Sequence, residues 1–295
     1  MSNKSFAPLF VLIGAILWGT TGTAQSFAPE GASPGAIGAI RLAIGGLALL
    51  LLAIIRGSYR SQEKWPKLIV VLATVSMAAY QPFFFAAVAK TGVAVGTVVT
   101  IGSVPVLTGI LGFFFKKERP GKRWAVATML AIVGCIFLFA KGGSISLQPL
   151  GVILALLAGL AYATYAISSK ELLQNHPPDA VIATTCCLSA VLLSPLLFVN
   201  GLGWLETPRG LAVGLYLGLI ASALAYMIYA TGLASIPVAT AVTLSLAEPL
   251  TAALLGILVL DERFTFYTLF GVVSLLMGLL LLSLKPSSIK FRSVV

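Results

Sequence analysis

Two ionisable side chains, Arg41 and Glu248, stand well inside apolar stretches of this 295-residue sequence. A charge in such a setting is costly, so it marks a functional site by default. Arg41 can hold a carboxylate bidentately. It also lies near one end of its stretch, where a long side chain snorkels or bonds a backbone carbonyl. Glu248 can bind an ammonium group or accept a coupling proton. It can also pair with Arg41 or make a capping hydrogen bond.

Polar and aromatic stripes recur at helical spacing. Trp18, Thr21 and Gln25 fall at i, i+3, i+7, and so do Tyr162, Tyr165 and Ser169. Ser222, Tyr226 and Tyr229 fall at i, i+4, i+7. Thr97, Thr100 and Thr108 share one side of their segment, and Thr240, Thr243 and Thr251 one side of theirs. Lipid tails offer a hydroxyl no partner, so these faces turn inward. They serve either as helix–helix glue or as the wall of a cavity, to which Tyr80 is added. Tyrosine also collects at lipid interfaces. Pro82, Pro105 and Pro249 sit inside apolar segments. Each removes the bond to the carbonyl four residues back, so Pro105 frees Ile101 and Pro249 frees Ser245. They are hinge candidates, or passive kinks satisfied by neighbours.

Other chemistries find no constellation. The one histidine, His176, lies in LLQNHPPD and cannot build a metal site alone. It reads as a plain loop residue. The two aspartates, Asp179 and Asp261, lie at loop ends. No cluster offers a general base or metal for hydrolysis or prenyl transfer, so no catalytic residue, metal or cofactor is expected. Neither a charged ring nor a carbonyl filter suggests a channel. No P-loop points to direct ATP drive. A sugar phosphate would need two or more buried cations, and only Arg41 is on offer.

The composition says what must position these side chains. Apolar residues make up 59% and charged ones 9%, against about 25% charged in soluble domains. No soluble fold of this size hides so much apolar surface. That excludes a soluble enzyme, a nucleic-acid-binding domain and a disordered chain. Ten apolar segments are expected at roughly 8–26, 36–55, 67–89, 94–115, 122–140, 149–169, 179–199, 209–232, 238–259 and 266–284. Runs such as 47–55 do not alternate, so the segments are helices and not barrel strands. The joints near 90–93 and 234–237 are the least defined. Cys135, Cys186 and Cys187 all fall in apolar stretches, so no disulfide framework is expected. The first segment has Lys4 before it but no small-x-small exit, so it reads as a resident helix and not a cleaved signal.

Charge sets the orientation. With the N-terminus inside, fourteen Lys and Arg fall on the cytoplasmic side and four on the other. Both ends are therefore expected in the cytoplasm. An internal repeat appears on shifting the chain by 144. Pro105, Leu111, Gly112, Glu118, Arg119 and Gly134 then meet Pro249, Leu255, Gly256, Glu262, Arg263 and Gly278. The halves, 1–145 and 146–295, hold five helices each. An odd number forces the second half to enter the membrane upside down. The basic loop at Glu118–Arg119 and the acidic one at Asp261–Arg263 agree with this. The Glu-Arg doublets read as structural pairs at helix ends. Two inverted halves with a site between them near the midplane is a common secondary-transporter plan.

The stretch ILWGTTGTAQSFAPEGASPGAIGAIRLAIGGLALLLL resembles the opening of the EamA-type repeat. So do AVAKTGVAVGTVVTIGSVPVLTGILGFFFKKERPGKRW and GLASIPVATAVTLSLAEPLTAALLGILVLDERFTF. The chain thus resembles the drug/metabolite transporter superfamily over nearly its whole length. Within it the chain looks like a bacterial amino-acid exporter of the YddG type. The resemblance implies an all-α integral membrane protein of the bacterial inner membrane, with ten helices around a central cavity and the fifth and tenth peripheral. It also implies export of small metabolites. Aromatic faces with few charges suit an amphipathic zwitterion such as an aromatic or neutral amino acid. They suit a quaternary ammonium drug as well. Partners are then a small-molecule substrate, the lipid bilayer and, for coupling, protons, with the chain a monomer or homodimer.

Overall fold

The computed structural model describes residues 3–60, 63–116, 120–139, 148–260 and 265–283. The doublets Glu118–Arg119 and Glu262–Arg263, and the boundary between the halves at 145–146, lie outside these residues. Among the described residues, eight helices are long and apolar enough to cross a membrane. They are α1 (Phe6–Ser26), α2 (Pro34–Ile55), α3 (Lys67–Thr91), α4 (Val95–Phe114), α6 (Pro149–Leu172), α8 (Pro208–Leu233), α9 (Val238–Val259) and α10 (Phe266–Ser283). With α5 (Lys122–Phe139) and the shorter apolar α7 (Pro178–Leu193), ten segments follow in chain order. The protein is an all-α, multi-pass membrane protein.

The joint between α3 and α4 lacks a loop. Helical turns run without interruption from Lys67 to Lys116. A straight helix would hold Val88 and Gly96 about 12 Å apart. Instead a Cβ on Gly96 would lie 3.0 Å from the Val88 Cα, so the chain doubles back into a tight hairpin. Glycine at 96 allows that approach.

Helix contacts show the inversion directly. A Cβ on Gly134 of α5 would lie 2.7 Å from the Leu275 nitrogen of α10, and one on Gly278 would lie 2.7 Å from the Ala127 carbonyl. Gly271 meets Leu138 in the same way, at 2.8 Å. Ascending α5 from 127 to 138 thus descends α10 from 278 to 271, so the two helices are antiparallel. A shift of 144 carries 127, 131 and 134 onto 271, 275 and 278. The contact therefore maps onto itself when the halves are exchanged. Helices α2 and α7 are antiparallel too, since Gly46 abuts Cys187 in mid-helix and Ser58, just past α2, bonds Asp179 at the start of α7. In the remaining pairs α1 packs on α8 and α9, while α6 packs on α3 and α4. Small residues let these backbones approach closely where no hydrophobic effect drives helices together.

Three helices depart from regular geometry. α1 is interrupted at Thr20, whose hydroxyl bonds the Leu17 carbonyl at 2.7 Å. α9 is interrupted at Ser245–Leu246, between Val238–Leu244 and Ala247–Val259. α8 carries a π-helical stretch, Tyr216–Leu224. The two prolines expected as paired hinges differ in local geometry. α4 runs unbroken through Pro105, whereas α9 breaks just before Pro249. Nor does Pro249 leave the Ser245 carbonyl bare, because the Glu248 N–H takes it at 3.0 Å.

Candidate functional site

The interrupted helices meet. A Cβ on Gly19 of α1 would touch the Glu248 carbonyl and Thr251 of α9 at about 2.5 Å, so glycine is what lets them cross here. Beside this crossing lies a cavity of about 310 Å³, at the small end of the range for ligand pockets (about 300–1,000 Å³). Its walls come from α1, α2, α3 and α4 of the first half and α6, α8 and α9 of the second.

Aromatic rings form a connected arc around it. Trp18 packs edge-on against Tyr226 with centroids 4.8 Å apart. Tyr226 packs on Tyr165 at 6.2 Å, Tyr165 on Tyr162 at 6.4 Å, and Tyr162 on Tyr80 at 6.0 Å. The arc ends at Phe84, 5.7 Å from Tyr80. The Tyr162 hydroxyl donates to Ser245 Oγ at 3.4 Å, at the break in α9. At the wall, the Trp18 Nε1 and Thr21 Oγ1 atoms are buried without a hydrogen-bond partner.

Both charges reach this space. Arg41 lines it and donates through Nε to Ser222 Oγ at 3.0 Å and through Nη2 to the Ala221 carbonyl at 3.4 Å. The expected bond to a backbone carbonyl therefore exists alongside cavity exposure. Glu248 also lines the cavity and is the one residue of 241–250 that is not buried. An ion pair joins Arg56 to Asp179 at 3.9 Å, and Arg41 and Glu248 do not form one with each other.

The stripes sort by position. Trp18, Thr21, Gln25, Tyr80, Thr97, Tyr162, Tyr165, Tyr226 and Pro249 line the cavity. Thr100 is buried where α4 meets Gly159 of α6. Ser222 lies beneath Arg41, and Tyr229 stands behind Trp18 with centroids 4.7 Å apart. Thr243 shares a hydrogen bond with Thr128 of α5 at 3.1 Å. Pro82 is exposed on the outside of the bundle, and Pro105 is buried within α4. The lining also includes Ser76, Met77, Gln81, Phe84 and Phe85, which reasoning from sequence passed over. A signal was there: 76, 80 and 84, and 77, 81 and 85, follow i, i+4, i+8 on adjoining stripes of α3.

The cavity's first-half residues lie in the later part of α1 and the early parts of α2 and α4, toward residues 27–33, while Tyr162, Tyr165, Tyr226 and Val242 lie toward the end holding residues 56–65, so the cavity sits between the two ends. Both ends carry ties: Arg209 Nε donates to the Phe27 carbonyl at 2.6 Å at one, and a larger set gathers at the end holding residues 56–65. Ser58 Oγ donates to Asp179 at 2.7 Å, with Arg56 3.9 Å from the same carboxylate. Tyr59 shares a hydrogen bond with Thr184 at 3.0 Å, and Lys170 donates to the Leu233 and Ala234 carbonyls. His176, expected to be a plain loop residue, is buried here and stacks on Trp65 at 4.0 Å. Burial lowers its pKa, which keeps the ring neutral at pH 7.

Comparison with known proteins agrees with this geometry. The model of the EamA-like transporter family matches twice, over residues 5–140 and 149–284. The uncharacterized transporter YwfM of Bacillus subtilis (strain 168) is 47% identical over 94% of each chain. The threonine/homoserine exporter RhtA of Escherichia coli (strain K12) is 29% identical over 96% of this chain and 94% of its own. A solved crystal structure superposes with a TM-score of 0.83 at 20% identity, covering 95% of this chain and 97% of that one. The likeness to that structure concerns the fold alone. A twice-matched family model, set on two antiparallel halves that enclose one cavity, establishes that this chain belongs to the EamA-like transporter family and is a membrane transporter of small molecules.

Proposed function

We propose that this transporter exports amino acids, neutral and aromatic ones first, across the bacterial inner membrane by alternating access. The supporting observation is the unpaired placement of Arg41 and Glu248 around one aromatic cavity. Opposite charges left apart in a poorly solvated space are costly. A zwitterion that gives its carboxylate to Arg41 and its ammonium to Glu248 satisfies both, while the rings accept its side chain. The relative named a threonine/homoserine exporter supports the same class.

In this reading residues 1–145 and 146–295 rock against each other, and no bond is made or broken. The positive-inside bias puts both termini in the cytoplasm. The end at residues 56–65, tied through Asp179, is then the cytoplasmic gate. A second reading, efflux of quaternary ammonium compounds, draws on the same arc of rings, which attracts cations through their faces. The two part in one experiment. Purified protein in proteoliposomes is offered L-phenylalanine, L-threonine and tetraphenylphosphonium, with and without a pH gradient. Saturable, trans-stimulated movement of the amino acids is expected. Movement of the cation alone would replace amino acids with cations as the cargo.

A further inference from the structure

Arg41 reaches the cavity from a seat built by another helix. One turn beyond it on α2 stands Gly45. A Cβ there would lie 2.8 Å from the Gly218 carbonyl and 2.9 Å from Ser222 Cβ. Glycine at 45 therefore brings α2 against the backbone of α8. The stretch of α8 in contact is π-helical. In an α-helix the Ala225 N–H would bond the Ala221 carbonyl. Here it reaches one residue further back, to Ile220. The Ala221 carbonyl instead receives Arg41 Nη2, and Ser222 Oγ receives Nε. A π-turn inside an α-helix often accompanies a functional site.

We infer that Ser222 and the π-turn of α8 are a positioning device, which fixes the plane of the Arg41 guanidinium so that its remaining N–H fork addresses the substrate carboxylate. This inference rests on the amino-acid reading above. A guanidinium has five donors in a rigid plane. Two are committed to α8, which stops rotation about the side chain and leaves the other edge facing the cavity. Ser222 itself does not line the cavity. It acts through Arg41, and it selects for a carboxylate without contacting it.

The test compares efflux of L-phenylalanine and L-threonine with efflux of their α-amides, which keep the ammonium and side chain but lack the carboxylate. Wild type should favour each acid over its amide by about tenfold or more in kcat/KM, as expected when a charge-assisted hydrogen bond is at stake. Ser222→Ala should lose several-fold of that preference through a higher KM for the acid. Its kcat, and its KM for the amide, should stay unchanged. Ser222→Cys, similar in size but a weaker acceptor, should do the same and stands in if the alanine variant does not fold. Arg41→Lys keeps the charge without the fork, so Ser222→Ala should add little to it. An acid-to-amide ratio unchanged in both Ser222 variants, or effects of Ser222→Ala and Arg41→Lys that simply multiply, overturns the positioning role and leaves the amino-acid reading intact. A wild-type protein that moves neither acid overturns that reading and this inference together.

Discussion

The hydroxyl of Tyr162 on α6 reaches Ser245 Oγ at the interruption of α9, and Ser245 Oγ in turn donates to the Val242 carbonyl at 2.7 Å. A residue of the cavity wall is thus bonded to the point where a neighbouring helix bends. Substrate that displaces the Tyr162 ring would also tug on the break. Tyr162→Phe keeps the ring and deletes the tie. Its expected effect is a several-fold change in turnover with little change in affinity, whereas Tyr162→Ala should weaken binding as well. Equal effects of the two variants on KM, measured in proteoliposomes, would show that the hydroxyl has no part of its own.

The prolines behave differently despite their equivalent places in the repeat. Pro249 sits one turn past a real break, and Pro105 sits in continuous helix. Pro249→Ala restores a donor at position 249 that can compete with Glu248 N–H for the Ser245 carbonyl. It should stiffen α9 and slow exchange while resting-state binding stays near normal. Pro105→Ala should change turnover much less. Equal slowing by both would mean that α4 bends in the transport cycle as α9 does.

Arg41 and Glu248 should be coupled through the substrate and not through each other. Arg41→Gln and Glu248→Gln should each weaken amino-acid transport by about tenfold or more, since each leaves one substrate charge unmatched. A double-mutant cycle reads the coupling. In the absence of substrate, the thermal stabilities of the two variants should add. In transport, the double variant should lose less than the product of the single losses, because a zwitterion held by neither charge loses its fixed orientation once. Coupling in stability as strong as in transport would indicate a direct structural pair.

The α5–α10 seam gives a stability test independent of cargo. A side chain at Gly134 or Gly278 must displace backbone at about 2.7 Å. Either glycine replaced by leucine should cost about 1–3 kcal/mol from overpacking alone. Gly121, where a Cβ meets nothing within 4 Å, is the control. Thermal unfolding in detergent should rank Gly134→Leu and Gly278→Leu together, well below Gly121→Ala. Two very different costs at the seam would break the equivalence that the exchange of halves implies.

Much of this architecture was legible in the sequence. The segments follow from uninterrupted apolar runs, and the repeat spacing makes Gly134 and Gly278 equivalent, as their matching contacts across the α5–α10 seam do. The stripes placed Trp18, Tyr162, Tyr165 and Tyr226 on inward faces. They could not divide an inward face into cavity and seam, because a helix presents a wide arc. Tyr229 and Thr243 therefore fell behind the wall that Tyr226 and Ser245 form. Proline spacing predicted equal bends at 105 and 249, yet the bend also needs the neighbours that meet α9, Gly19 and Tyr162. The π-turn left no mark in YLGLIASAL, and the seat it makes joins residues about 180 positions apart. His176 had no periodicity to place it, and only the fold brings Trp65 onto its ring.

The end tied through Asp179 should decide the resting conformation. Asp179 is the hub of that end. It takes the Ser58 hydroxyl, stands 3.9 Å from Arg56, and accepts the Ala180 N–H at 2.9 Å within the first turn of its own helix. These ties join α7 of one half to the end of α2 in the other, so the end cannot open while they hold. Asp179→Asn keeps the shape but weakens the charge-assisted bonds, which are about twice as strong as neutral ones. Ser58→Ala removes one tie and leaves the carboxylate to Arg56. Both variants should shift the population toward opening at this end, Asp179→Asn more than Ser58→Ala. A single cysteine at Ser76, on the cavity wall in a background without the three native cysteines, reports the shift. In the parent its reaction with an impermeant maleimide from the side of residues 56–65 should be slow. In the variants reactivity should grow from the side of residues 56–65. Cysteines at Glu30 and Lys64, both exposed, fix which side is which. Lys64→Cys should label from the cytoplasm and Glu30→Cys from outside. Labelling of Ser76→Cys that stays the same from both sides in both variants would show that the Asp179 ties do not hold the gate.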